Sequence, residues 1–201
     1  TIDVTPTGYS TTVLASNGEE TATLVGQGAN RQYVTIDEIP VDLQHAFVAI
    51  EDERFYEHNG IDLHGIGRAF VSGLSKGRFS EGASTITQQL IKNNVLTSWT
   101  SESSFVEKLQ RKIQEQYLAL ELEKQVNDKD WILENYMNSV NLGANTLGVQ
   151  AASKKYFNKD VSELTLSESA VIAGITQNPS GYNPITHPDN NAKRRKKVLT
   201  N

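Results

Sequence analysis

The chain has 201 residues, of which 37% are hydrophobic and 21% charged, with no cysteine and a formal net charge of −5. This balance suits one globular domain with a buried core and excludes a disordered chain. The lack of cysteine excludes disulfides, thiolate metal sites and a cysteine nucleophile, and the acidic charge argues against nucleic acid as a partner. No run of 18 apolar residues occurs, so no segment reads as a membrane-spanning helix. The chain opens on Thr1 and closes in a basic stretch, Lys193 to Lys197, which reads as a solvated helix face. We expect it to be a piece of a longer protein whose signal or anchor lies elsewhere.

Residues 1–36 read as an extended, β-prone linker segment, and 37–201 as the main domain. Val13-Leu14-Ala15 and Thr21-Ala22-Thr23-Leu24-Val25 flank Asn17-Gly18, a hairpin-turn dipeptide, and Tyr33-Val34-Thr35-Ile36 suggests one more short strand. After Pro40 the apolar period becomes helical, with Leu43, Phe47 and Ile50 on one side. Gly60 is expected to end that helix and Asp62 to cap the next. Residues 63–79 are apolar but laced with Gly65, Gly67, Gly73 and Gly77, which weaken a helix and suggest a loose lip able to touch lipid. Thr85 and Gln88 form a capping box opening a helix through Leu90 and Ile91. Past a polar linker at 97–104, a long helix carries Phe105, Leu109, Ile113, Tyr117 and Leu120 at steps of three and four. Asn127 or Asp128 caps a further helix through Ile132, Leu133, Tyr136 and Met137, and Thr165 with Glu168 makes a second capping box. The expected fold class is mainly α with a small N-terminal β appendage.

Three polar clusters interrupt the helical pattern. The first is Glu51-Asp52-Glu53-Arg54-Phe55-Tyr56-Glu57-His58-Asn59-Gly60-Ile61-Asp62, where Glu51 follows an apolar approach. A carboxylate against apolar neighbours is suited to proton transfer. The second runs from Gly82 to Asn93. Its small residues (Ser84 among them) precede a helix N-terminus, a cradle for anions, and Gln88, Gln89, Lys92 and Asn93 add side-chain donors. The third is Arg111-Lys112-Ile113-Gln114-Glu115, in which Arg111 and Glu115 stand one helical turn apart, the spacing of an ordinary surface ion pair. Taken together, two carboxylates and several cations suit glycosyl chemistry on a phosphate-linked sugar. His58 and His64 make no metal-spaced pair, and His58 reads as structural.

In this order the clusters resemble the first three motifs of the peptidoglycan glycosyltransferases (glycosyltransferase family 51), the catalytic N-terminal half of class A penicillin-binding proteins. Lys129-Asp130-Trp131-Ile132-Leu133-Glu134-Asn135-Tyr136-Met137-Asn138 resembles the fourth. The resemblance implies a lysozyme-like helical domain with a head and a membrane-facing jaw at 63–79. It also implies the chemistry: a lipid II acceptor attacks the growing glycan with inversion, forming a β-1,4 linkage and releasing undecaprenyl pyrophosphate. Glu51 would be the general base. Glu115 would be the second carboxylate, set on the donor pyrophosphate or on a divalent cation (Mg or Mn), with no cofactor obligatory. Lys92, Arg111 and Lys112 would meet phosphates, Ser84, Gln88, Gln89 and Asn93 would line the donor side, and Asp52 and Phe55 would shape the cleft. The implied partners are lipid II, the glycan chain, the outer face of the bacterial cytoplasmic membrane and a C-terminal transpeptidase domain in the parent chain. One departure stands out: Glu102-Ser103-Ser104-Phe105 lacks the Arg that many members carry before the third motif, and Lys108 is the nearest cation.

Two other readings share these residues. A lysozyme-like hydrolase or lytic transglycosylase would need Glu51 but not the cation cluster. A non-catalytic glycan-binding module would keep the motifs as packing.

Overall fold

The computed structural model describes residues 1–5, 11–14, 16, 20–24, 32–68, 84–96 and 104–201. These residues are mostly helical. Strands β1 (Thr11–Leu14) and β2 (Glu20–Leu24) pair antiparallel, with Thr11 opposite Leu24 and Val13 opposite Ala22. The Asn17-Gly18 turn, Gly82-Ala83, the linker at 97–103 and the jaw segment from residue 69 onward lie outside the described residues.

Tyr33-Val34-Thr35-Ile36 is not the further strand the sequence suggested. The Asn138 side-chain amide satisfies Val34 instead of a strand partner, accepting from its N–H at 2.9 Å and donating to its carbonyl at 2.8 Å. Thr35 then precedes a 3-10 turn, Ile36–Glu38, and its N–H is held by the Glu38 carboxylate at 2.7 Å. Helix α1 (Val41–Glu51) follows Pro40 and buries Leu43, Ala46 and Phe47. It stops at Glu51, nine residues before the expected end at Gly60. Short turns take over, with Phe55 N–H on the Asp52 carbonyl at 2.9 Å and Glu57 N–H on that of Arg54 at 2.8 Å. Gly60, at φ +91°, closes them. Asp62 opens the helical residues 63–68 as expected. Its carboxylate accepts the Gly65 N–H and an ion pair from Arg54.

Helix α2 (Ile86–Asn94) starts at the predicted Thr85–Gln88 capping box. Helix α3 (Phe105–Val126) starts at a box that the sequence reading passed over, Ser104 with Glu107, and ends on Asn127 in the left-handed region. Asn127 therefore closes α3, and Asp128 caps helix α4 (Lys129–Ser139), its carboxylate accepting the Trp131 N–H at 3.0 Å. Helices α5 (Val149–Phe157), α6 (Leu166–Ala173) and α7 (Pro188–Val198) complete the chain, α6 behind the predicted Thr165–Glu168 box.

The chain divides into two compact units. One comprises Thr1–Val4 and Phe47–Tyr136. Its core is built from Phe47, Phe55, Ile86, Leu90, Ile91, Leu122, Ile132, Leu133 and Tyr136, all fully buried, and α2 packs against α3. The other comprises Thr5–Ala46 and Met137–Asn201, with Leu142, Val149, Ala152, Val161, Ile172 and Ile175 buried and α6 packed against α7.

The apolar steps on α3 do not face a core. Phe105 is 79% exposed and Tyr117 62%, and Val106, Leu109, Ile113 and Leu120 are exposed as well. The residues that α3 buries are Glu115, Ala119, Leu122 and Glu123. The period identified an amphipathic helix, but the buried face holds two carboxylates, because cations and hydroxyls wait there to pair with them.

Candidate active site

All the candidate site residues belong to the first unit. Glu51 is the last residue of α1 and is half-buried. Gln89, from the second turn of α2, donates its Nε2–H to Glu51 Oε2 at 2.9 Å. The other end of the same amide, Oε1, accepts the Tyr136 O–H of α4 at 3.1 Å. Tyr136 is fully buried with its ring edge-on to Phe47, centroids 6.0 Å apart. Burial pushes its phenol well above the ordinary value, and Glu51 and Asp52 push the same way, so the hydroxyl stays protonated.

Asp52 points inward. Both its oxygens lie 2.9 Å from His58 Nε2, and Oδ2 also accepts the Ile86 N–H at 3.0 Å, the first amide of α2. His58 Nδ1 accepts the Gly60 N–H at 3.2 Å, so the ring proton sits on Nε2 and is given to Asp52. The Thr85 hydroxyl donates to the Gly60 carbonyl at 2.7 Å. This latch ties the residues after Glu51 to the start of α2. Behind it Glu123 accepts from Thr87 at 2.6 Å and from Lys129 at 2.8 Å, and Lys129 also donates to the His58 carbonyl at 2.6 Å and lies over the Phe55 ring. Phe55 is wholly buried, and so is Gln88, whose Oε1 accepts the Thr85 N–H at 2.9 Å. Asp52 and Phe55, expected to wall the cleft, are thus buried, with the Asp52 oxygens on internal partners, whereas Gln88, expected to line it, uses its Oε1 internally and leaves Nε2 buried with no hydrogen-bond partner.

The cation cluster forms around Glu115, which is 1% exposed on α3. Its Oε2 accepts from Arg111 at 2.6 Å and its Oε1 from Lys112, whose ammonium also donates to Ser84 Oγ at 2.6 Å. Lys92, one turn beyond Gln88 on α2, is half-buried. Burial holds its ammonium below the ordinary lysine value. Glu115 opposes that shift, Arg111 and Lys112 reinforce it, and Glu51 opposes it. Lys92 thus feels both carboxylates and both other cations. Asn93 is half-buried beside it, and Lys108 is exposed one turn before Arg111. The donor set does not fit a resident divalent cation on Glu115. Both its oxygens are engaged by cations, and among the described residues no group of three His, Cys, Asp or Glu is placed to hold a metal.

The structure thus brings together Glu51 with Gln89, and Glu115 with Arg111, Lys112 and Ser84, while Lys92 responds to both groups. In the sequence, Tyr136 reads as one more apolar position on its helix. The available signal was a phenol in a buried stripe, since a buried hydroxyl needs a partner.

A family model described as transglycosylase matches residues 17–201. Penicillin-binding protein 1F of Bacillus subtilis is 46% identical over 190 residues, 94% of this chain and 25% of that protein. Penicillin-binding protein 1A/1B of the same organism is 43% identical over 195 residues, 96% of this chain and 20% of that protein. Penicillin-binding protein 1A of Clostridium botulinum is 49% identical over 163 residues, 78% of this chain and 19% of that protein. The chain spans a quarter or less of the length of these curated relatives. Matched over nearly its whole length, the chain belongs to the transglycosylase family, the peptidoglycan glycosyltransferases that its four motifs resemble.

Proposed function

We propose that this chain polymerises lipid II into β-1,4 glycan strands by inverting glycosyl transfer, releasing undecaprenyl pyrophosphate. The observation that carries the reading is the cation cluster on α3, where Arg111 (2.6 Å) and Lys112 take the two oxygens of the buried Glu115. A hydrolase needs the Glu51 carboxylate but has no use for Arg111 and Lys112 gathered on a second one. A departing pyrophosphate does, because its charge grows as the C1–O bond breaks.

In this reading the acceptor's C4 hydroxyl attacks C1 of the donor sugar. Glu51 takes the hydroxyl proton while Lys92, Arg111 and Lys112 receive the pyrophosphate, with Ser84 holding Lys112 in place. Glu115 keeps Arg111 and Lys112 from repelling each other apart and orients them. Gln89 and Asn93 lie on the donor side. No cofactor is obligatory. A Mg or Mn ion on Glu115 would have to displace Arg111 or Lys112, so the pyrophosphate is assigned to the cations. Activity that survives excess EDTA supports this arrangement, and activity lost to EDTA and restored by Mg or Mn returns Glu115 to a metal role.

The domain is read as lysozyme-like, with a jaw at 63–79 and the N-terminal hairpin as an appendage. It works at the outer face of the bacterial cytoplasmic membrane, in a parent chain that continues into a transpeptidase domain. None of the described helices is long and apolar enough to cross a membrane. The exposed stripe on α3 supports contact with the membrane surface instead. Incubation with lipid II alone and with preformed glycan separates the enzyme readings: polymer from lipid II is expected, and cleavage of preformed glycan without polymer would favour the hydrolase.

A further inference from the structure

We propose that Tyr136 is a positioning residue for the base, fixing the Gln89 amide so that the amide fixes Glu51. The inference rests on the reading of Glu51 as general base and deepens it. An amide can present either its oxygen or its NH2 to a neighbour, and the two choices differ by half a turn about one bond. Facing a carboxylate, the oxygen end repels and the NH2 end binds. The Tyr136 hydroxyl decides between them: it donates to Gln89 Oε1 at 3.1 Å, which leaves Nε2 on Glu51 Oε2 at 2.9 Å. The three groups come from α4, α2 and the last residue of α1, so the relay sets the angle at which a helix end presents its carboxylate.

Tyr136 is suited to this as few residues are. Its ring is fully buried and packed edge-on against Phe47 of α1, so the hydroxyl has little freedom to swing away. Its proton is held firmly, because burial and the two nearby carboxylates oppose ionisation. A phenol whose ionisation is opposed is a dependable donor, and a dependable donor imposes one orientation on the amide. Tyr136 itself does not reach the reacting atoms. Its influence passes through Gln89, and that route gives the test.

Tyr136→Phe removes one oxygen and keeps the ring. In the full protein, with lipid II as substrate, kcat is expected to fall about tenfold, part of the factor a general base supplies, with KM unchanged. Gln89→Met is expected to lower kcat as well, and Tyr136→Phe added to it should change kcat by less than about twofold, since the route is already cut. Thermal melts of each variant check that the fold is kept. Wild-type kcat in Tyr136→Phe, or losses that multiply in the double variant, would overturn the inference. Glu51→Gln run alongside separates the two claims. Activity surviving there removes the base and this inference with it, whereas an inactive Glu51→Gln beside a fully active Tyr136→Phe removes the inference alone.

Discussion

Lys92 shows how the site trades stability for chemistry. Its ammonium is half-buried and its value is held below that of an exposed lysine, so the unfolded chain binds that proton more tightly than the folded one. The sign follows: charged Lys92 opposes folding at neutral pH, and its contribution improves as pH rises from the folded value toward the unfolded one. Lys92→Met should therefore raise the Tm at pH 7 and flatten the alkaline part of the stability curve, while transfer from lipid II is lost. A lower Tm in that variant would mean that Lys92 supports the fold and is not held there at its expense. Asp52 is the converse case. It receives His58 and the first amide of α2, so Asp52→Ala leaves buried donors without partners and is expected to cost ~1–3 kcal/mol in denaturant unfolding.

At the scale of elements, the turn after α1 matters most, because it carries Glu51 on one side and the His58 latch on the other. Gly60 sits at φ +91° within that turn, and a Cβ there would stand 2.7 Å from the Ala119 carbonyl oxygen. Gly60→Ala should destabilise by about 1–3 kcal/mol, read as a fall in the denaturation midpoint. The helix starts were legible in the sequence where a capping box announced them, as at Thr85–Gln88 and Thr165–Glu168. The end of α1 was not, because Asp52 leaves the helix to pair with His58 and with an amide 34 residues away, contacts no local pattern reveals. The same limit explains α3. Periodicity found the stripe from Phe105 to Leu120, but which face is buried depends on Arg111, Lys112, Thr87 and Lys129 finding Glu115 and Glu123. The motif residues Glu51, Gln89, Lys92 and Glu115 were identified as a group from their order and chemistry. The relay through Tyr136 was not, since it depends on a side-chain hydrogen bond between residues 47 apart in the chain.

For the whole molecule, the stripe on α3 is a surface feature of the described residues in which the proposed chemistry has no part. Phe105, Val106, Leu109, Ile113, Tyr117 and Leu120 fall within an arc of about 120°, all exposed. Each large side chain moved from water into lipid gains ~1.5–3 kcal/mol. Phe105→Ser with Ile113→Ser should then weaken liposome binding by at least about tenfold, measured by co-sedimentation. Undiminished binding would assign the stripe to another surface. Because the cation cluster and the stripe share α3, a membrane contact there would set the cations proposed to receive pyrophosphate near the headgroup layer where a lipid-linked donor ends.

Polymerisation of lipid II by Glu51→Gln decides the assignment of Glu51 as the group that removes the acceptor proton. Glutamine keeps the size and the helix end but accepts no proton. At least a roughly hundredfold loss of rate is expected, the scale of a lost general base, with an unchanged melting curve. Polymerisation at the wild-type rate by that variant would contradict it.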